Sequence, residues 1–147
     1  MSDLEDRIAI QDLIARYADL VDRREFGRLD EIFTADANID FSAFGGAVGD
    51  LADAKQFLSD SLPMFRRTQH LMGLPVIDVA GDGATARTAC HNPMVIDNAD
   101  GSTSVWLIAL WYDDELIRTD AGWRISSRRQ DRCHFVTGLS DAPKGAS

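Results

Sequence analysis

Three histidines, His70, His91 and His134, are the residues of this chain best suited to moving protons at neutral pH. Imidazole is the side chain whose ordinary titration falls between roughly pH 5 and 8. They lie on separate predicted strands and show no H-x-H or H-x-x-x-H spacing. Cys90 and Cys133 form no C-x-x-C pair. A metal centre is therefore not expected, and the two thiols read as free cysteines. The run Gly45-Gly46-Ala47-Val48-Gly49 lacks the Lys and Ser/Thr of a phosphate loop. It reads as an entrance loop.

His70 falls early in a predicted strand, where Thr68, His70 and Met72 share one face. Asp22 closes the opening predicted helix. An anion is poorly placed there, because the dipole end is negative. Two readings follow. Asp22 is a solvated carboxylate pairing with Arg23, Arg24 or Arg28, or it faces a cation such as a charged imidazole. In the second, the carboxylate holds one ring nitrogen as N–H, leaves the other as a free base, and stabilises the imidazolium once a proton arrives. That is the base and orienting acid of a triad without its nucleophile. Tyr17 can donate a hydroxyl proton to a substrate oxygen or serve as a core aromatic. Arg128, in the basic run Arg124–Arg132, can anchor an oxyanion or leaving group or lie on the surface. Strand alternation puts it opposite Trp123 and Ile125 unless a β-bulge swaps the faces. Met64, Phe65, Met72, Met94, Trp106 and Phe135 can line an apolar cavity or fill a core.

The elements that must position these groups are legible in outline. Ile10, Leu13, Ile14, Tyr17, Leu20 and Val21 recur at helical spacing and end near Asp22-Arg23-Arg24. A short helix is expected over Arg28–Phe33, a strand over Ala37–Phe41, and a helix from Asp50 towards Phe65 that Pro63 ends or kinks. From Thr68 the period becomes two. Strands are expected over Thr68–Val79, Ala84–Asp97, Thr103–Arg118 and Gly122–Val136, with turns at Asp82-Gly83, Asp100-Gly101 and Ala121-Gly122. Helices followed by a run of antiparallel strands predict an α+β domain. Residues 1–141 read as one domain and 142–147 as a flexible tail. In the third long strand both faces are apolar (Val105, Leu107, Ala109, Trp111 against Trp106, Ile108, Leu110, Tyr112). One can face the helices and a pocket. The other predicts a homo-oligomer, a dimer or trimer, through the sheet face.

The formal net charge of -9 argues against nucleic acid and against anionic membrane surfaces. The acidic, amphipathic opening MSDLEDRIAIQDL does not read as a leader, and no run reaches the ~18 apolar residues of a span. A cytoplasmic protein is expected.

Short words along nearly the whole chain carry a resemblance: Ile10-Gln11-Asp12-Leu13, Val21-Asp22-Arg23-Arg24, Gly27-Arg28-Leu29, Thr68-Gln69-His70, Tyr112-Asp113-Asp114-Glu115 and Gly122-Trp123-Arg124-Ile125. In this order they resemble the SnoaL-like branch of the nuclear transport factor 2-like superfamily. The nearest group is that of scytalone dehydratase, bile-acid dehydratase and hexachlorocyclohexane dehydrochlorinase. The resemblance implies a cone-shaped, curved, mixed or antiparallel sheet wrapped around N-terminal helices, the cystatin-like α+β barrel. It also implies a lyase that needs no cofactor, with Asp22 and His70 as the dyad that removes a proton. Tyr17 and either Arg128 or Arg129 would then meet the substrate, with Met72, Trp106 and Phe135 in the apolar wall. The expected partner is a small hydrophobic, aromatic or polycyclic molecule. Two departures stand out: His91 is out of register for a second catalytic His, and no Lys lies near Tyr17. The same fold also hosts isomerases and polyketide cyclases, ligand-binding proteins and dioxygenase small subunits.

Overall fold

In the computed structural model, which describes residues 2–142, the opening helix α1 spans Asp3–Asp22. Ser2 and Glu5 form a reciprocal capping box at its start. The expected stripe, Ile10 to Val21, is buried. The helix ends in a Schellman arrangement: Glu25 N–H donates to Leu20 O at 2.9 Å and Arg24 N–H to Val21 O at 3.0 Å. Arg24 holds the left-handed position, φ 62°, where glycine is usual. Its guanidinium donates to Thr68 Oγ1 at 2.8 Å, so this residue ties the helix end to the sheet.

The expected helix over Arg28–Phe33 is a tighter 3-10 turn, Phe26–Glu31, and strand β1 starts earlier than expected, spanning Phe33–Asp40. A two-residue strand β2 (Val48–Gly49) precedes helix α2, Leu51–Ser61. Asp50 caps α2. Past Ser61 the chain makes one 3-10 turn through Pro63, which can donate no backbone hydrogen bond.

The strand expected over Thr68–Val79 is three pieces: β3 (Arg67–Thr68), β4 (Leu71–Met72) and β5 (Val76–Ala80). All pair with β6 (Gly83–Asp97). Prolines explain the breaks. The register opposes Gln69 to Pro93, which accepts from Gln69 N–H at 3.1 Å but has no N–H to return. Pro75 then sits where the pairing slips by one residue between Met72↔Cys90 and Val76↔Arg87. Strands β7 (Thr103–Thr119) and β8 (Gly122–Ser140) complete the long hairpins, and β8 runs four residues past its expected end.

The sheet runs β2-β1-β8-β7-β6-β3, with β4 and β5 also on β6. Only β1 and β8 are parallel, so the sheet is mixed. It is strongly curved but remains open and does not close into a barrel. One core of buried side chains fills the space between its inner face and the helices. Of the expected tail, residues 143–147 lie outside the described residues. No helix among the described residues is long and apolar enough to cross a membrane.

Asp6 fastens α1 to the sheet. Arg118 donates to its two oxygens at 2.7 and 2.9 Å, and Trp123 Nε1 donates at 3.0 Å. The Arg118 and Trp123 hydrogen bonds hold its carboxyl at about 2, from an ordinary 3.8. A carboxyl depressed in the fold adds stability that is complete above about pH 4 and lost as pH falls through about 2. Thermal melts across that range should therefore fall more steeply for the wild type than for Asp6→Asn. Parallel curves would contradict this.

Candidate active site

The gap between β3 and β4 is where His70 sits. In the register of the flanking pairs it opposes Asn92 on β6. This position lies between hydrogen-bonded pairs, so His70's backbone N–H points away from β6, and the two side chains come close. That outward N–H donates to Asp22 Oδ2 at 2.9 Å. The Thr68 hydroxyl donates to Asp22 Oδ1 at 2.9 Å. The imidazole Nδ1 lies 2.7 Å from the same Oδ1. The structure thus brings Asp22 and His70 together, and the pairing of Asp22 with Arg23, Arg24 or Arg28 is absent: Arg24 reaches it only through Thr68.

Asp22's side chain is 23% exposed and His70's 7%. Partial burial pushes the Asp22 carboxyl up, but the hydrogen bonds and charge of His70, its backbone N–H and Thr68 outweigh it. The carboxyl is held below the usual range. Asp22 therefore stays an anion through neutral pH. An anionic carboxylate only accepts, so in the neutral ring the proton belongs on Nδ1 and the lone pair on Nε2.

His70 forms part of the wall of a cavity of about 220 Å³ between α1, α2 and the inner face of β6–β8. Tyr17, Trp106 and Phe135 line it as expected, with Phe65 and Met94. An aromatic chain runs along it: Phe65–Trp106 at 5.2 Å between ring centres, Trp106–Phe135 at 5.7 Å, and Phe135–Phe44 at 5.9 Å. Near the dyad, Tyr17 meets His70 edge-on at 6.2 Å and Tyr112 at 5.8 Å. Burial raises both phenols, so each keeps its proton at neutral pH; Tyr112 donates to the Tyr17 hydroxyl, which leaves the Tyr17 proton for a ligand oxygen.

Met72 is partly buried against the core and lies outside the cavity wall. Arg128 is also outside it. Glu115↔Ser127 and Leu116↔Ile125 leave Ser126 as an extra residue, and this bulge turns Arg128 to the same inner side as Ile125. Arg129 is exposed and pairs with Asp113. Arg128 is 0% exposed and stacks between Tyr17 (4.2 Å) and Tyr112 (4.1 Å). Asp114 grips it through two 2.7 Å bonds. Burial opposes its charge, but Asp114 more than compensates and holds the guanidinium firmly protonated. It stands behind the tyrosines rather than in the cavity.

Sequence reading did not single out Asn92 and Gln130, both in the wall. Asn92 Nδ2 lies 3.2 Å from His70 Nε2. A signal existed: on β6 the inward positions Ala84, Ala86, Cys90 and Met94 are apolar, and Thr88 and Asn92 interrupt them. Cys90 is no rival nucleophile, since burial pushes its thiol up to about 12. Among the described residues no group of three His, Cys, Asp or Glu could hold a metal ion.

Residues 2–129 match the family model described as a SnoaL-like domain. An uncharacterized protein of Mycobacterium tuberculosis is 41% identical over 133 residues, 90% of this chain and 89% of that one. Hexachlorocyclohexane dehydrochlorinase 1 of Sphingobium indicum is 31% identical over 157 residues, covering 99% of this chain and 97% of the enzyme. A crystal structure of a type 2 hexachlorocyclohexane dehydrochlorinase superposes with a TM-score of 0.80 at 28% identity, covering 97% of each chain.

Proposed function

The chain belongs to the SnoaL-like domain family, and on that premise we propose that it is a lyase of the dehydratase or dehydrohalogenase kind, in which His70 removes a proton from carbon. One observation carries the reading. A carboxylate fixes His70 Nδ1–H at 2.7 Å, and the imidazole forms part of the wall of an apolar cavity. The similarity to the hexachlorocyclohexane dehydrochlorinases supports the same class.

The chemistry runs as an elimination. Nε2 gives up its hydrogen bond from Asn92 and takes a proton from carbon, the C–H pair becomes the new double bond, and hydroxide or halide leaves the neighbouring carbon. Asp22 stabilises the imidazolium as it forms. If the leaving group is hydroxide, the proton returns to it and water departs. If it is halide, the proton passes to solvent. Tyr17, itself accepting from Tyr112, donates to oxygen where negative charge gathers, in an apolar wall that strengthens the contact. Arg128 acts at one remove: its positive charge, about 4 Å from each ring centre, makes both phenols stronger donors.

The test uses purified protein, a panel of cyclic β-hydroxyketones and γ-hexachlorocyclohexane, all in D2O. Alkene absorbance and chloride release report elimination. Deuterium entering the carbon next to the carbonyl reports base action even where nothing leaves. The reading predicts at least one of these signals, dependent on His70. A panel in which every signal equals that of His70→Ala contradicts it. Deuterium exchange with a shifted double bond and no loss of water or halide would assign the same base to an isomerase.

A further inference from the structure

Two residues of the cavity wall each carry a buried side-chain oxygen that the protein itself does not satisfy. Asp22 fixes the proton on His70 Nδ1, so Nε2 is an acceptor, and the Asn92 group facing it at 3.2 Å must be the amide N–H. Asn92 is nearly fully buried, and its Oδ1 is left with no hydrogen-bond partner. Gln130 Oε1, from β8, is likewise buried without a partner. Both residues line the cavity. A buried carbonyl oxygen without a donor is unfavourable, and few native groups are left so. Each of these two can be satisfied by a donor arriving with the ligand.

The rest of the wall narrows the ligand further. No Asp, Glu, Lys or Arg side chain lines the cavity among the described residues. Arg128 is bonded to Asp114 behind the tyrosines, and Arg132, itself outside the wall, lies over the rings of Phe44 and Phe135. An anionic ligand would meet no Lys or Arg side chain in the wall. Beyond the polar end the surface is mostly Phe, Leu, Met, Ile and Trp, and the Ser61 hydroxyl there donates to Phe57 O. A volume of about 220 Å³ falls below the roughly 300–1,000 Å³ of drug-sized sites, so the body is small.

We infer that the cavity selects a small, uncharged, apolar ligand whose polar end carries hydroxyl and not halogen, each hydroxyl donating its one hydrogen bond to Asn92 Oδ1 or to Gln130 Oε1. The inference rests on the reading that this cavity binds the substrate, and within that reading it favours loss of water over loss of halide. Asn92 is then a specificity residue with two faces: its N–H meets the base, and its oxygen meets the molecule the base acts on. A halogen of similar size fills the space but leaves both oxygens unpaired.

The experiment measures binding of three compounds that cannot undergo elimination: 2-naphthol, 2-chloronaphthalene and 2-naphthoate, by equilibrium dialysis against the wild-type chain. The expected order is 2-naphthol about tenfold tighter than 2-chloronaphthalene, as one buried hydrogen bond allows, with 2-naphthoate weakest. The one naphthol proton reaches one oxygen at a time, so whichever of Asn92→Leu and Gln130→Leu removes that acceptor should narrow the gap by weakening 2-naphthol while leaving 2-chloronaphthalene unchanged or tighter, and a gap unchanged in both variants overturns the inference. Equal or tighter binding of 2-chloronaphthalene, tightest binding of 2-naphthoate, or no saturable binding of 2-naphthol overturns the inference. If a leucine variant fails to fold, the wild-type order decides alone. Because no bond breaks, a failed lyase reading leaves this ranking intact, and a failed ranking leaves the proton chemistry of His70 untouched.

Discussion

Replacing His70 with alanine should lower kcat by roughly 10²–10⁴-fold, the range of a positioned general base. The fold should survive. Asp22 keeps two of its three donors, the Thr68 hydroxyl and the backbone N–H of residue 70, so the carboxylate is not stranded. KM should change little, because the imidazole is one edge of a wall made mostly of other side chains. Loss in kcat and in kcat/KM together marks an interaction made in the transition state. Asp22→Asn probes the same pair from the other side. Its amide can turn an N–H towards Nδ1, which moves the ring proton to Nε2 and removes the free lone pair. That variant should lose activity on a similar scale while its helix end stays in place. A His70→Ala enzyme that keeps more than about a tenth of wild-type turnover would remove the base from the account.

The second large effect is on stability, and it separates two roles for Arg128. If Arg128 anchors substrate directly, Arg128→Met weakens binding and leaves the fold alone. The geometry argues otherwise: both Arg128 and Asp114 side chains are 0% exposed and joined by two bonds. Removing one member of such a pair leaves a buried charge alone and typically costs about 3–5 kcal/mol. Arg128→Met should therefore lower the melting temperature by roughly 6–20 °C in a chain of this size. The double variant Arg128→Met, Asp114→Leu leaves no orphaned charge and should recover much of that loss, as paired replacement of buried ions often does. Chemical denaturation of the two single variants and the double completes the cycle. A melting temperature for Arg128→Met within about 2 °C of wild type, or additive effects in the double, would contradict a structural pair.

Elements set by local pattern were legible in the sequence. The stripe from Ile10 to Val21 gave α1 its length, the glycine turns gave β6, β7 and β8 their order, and Pro63 ended α2. What escaped depends on the partner strand. The break at Gln69-His70 follows from Pro93 opposite it and from the slip at Pro75, and neither is visible within the segment itself. The facing of Arg128 hangs on one extra residue, Ser126, that alternation could not locate. Met72 was grouped with His70 by that same alternation, but it meets the core outside the cavity. The meeting of Asp22 with His70 had a physical cue, an anion at a negative helix end, while their chemical role came from resemblance. Asn92 and Gln130 had a cue that went unused: polar side chains facing inward on long strands whose other inward neighbours are largely apolar.

The central claim is that Asp22 fixes His70 in one tautomer, and nitrogen NMR of histidine-labelled protein reads this directly. In alkaline buffer the His70 ring should show a protonated, pyrrole-type Nδ1 and an unprotonated, pyridine-type Nε2, and Asp22→Asn should reverse or mix the two. A wild-type His70 with its proton on Nε2, or one averaging both forms in free exchange, would contradict the account.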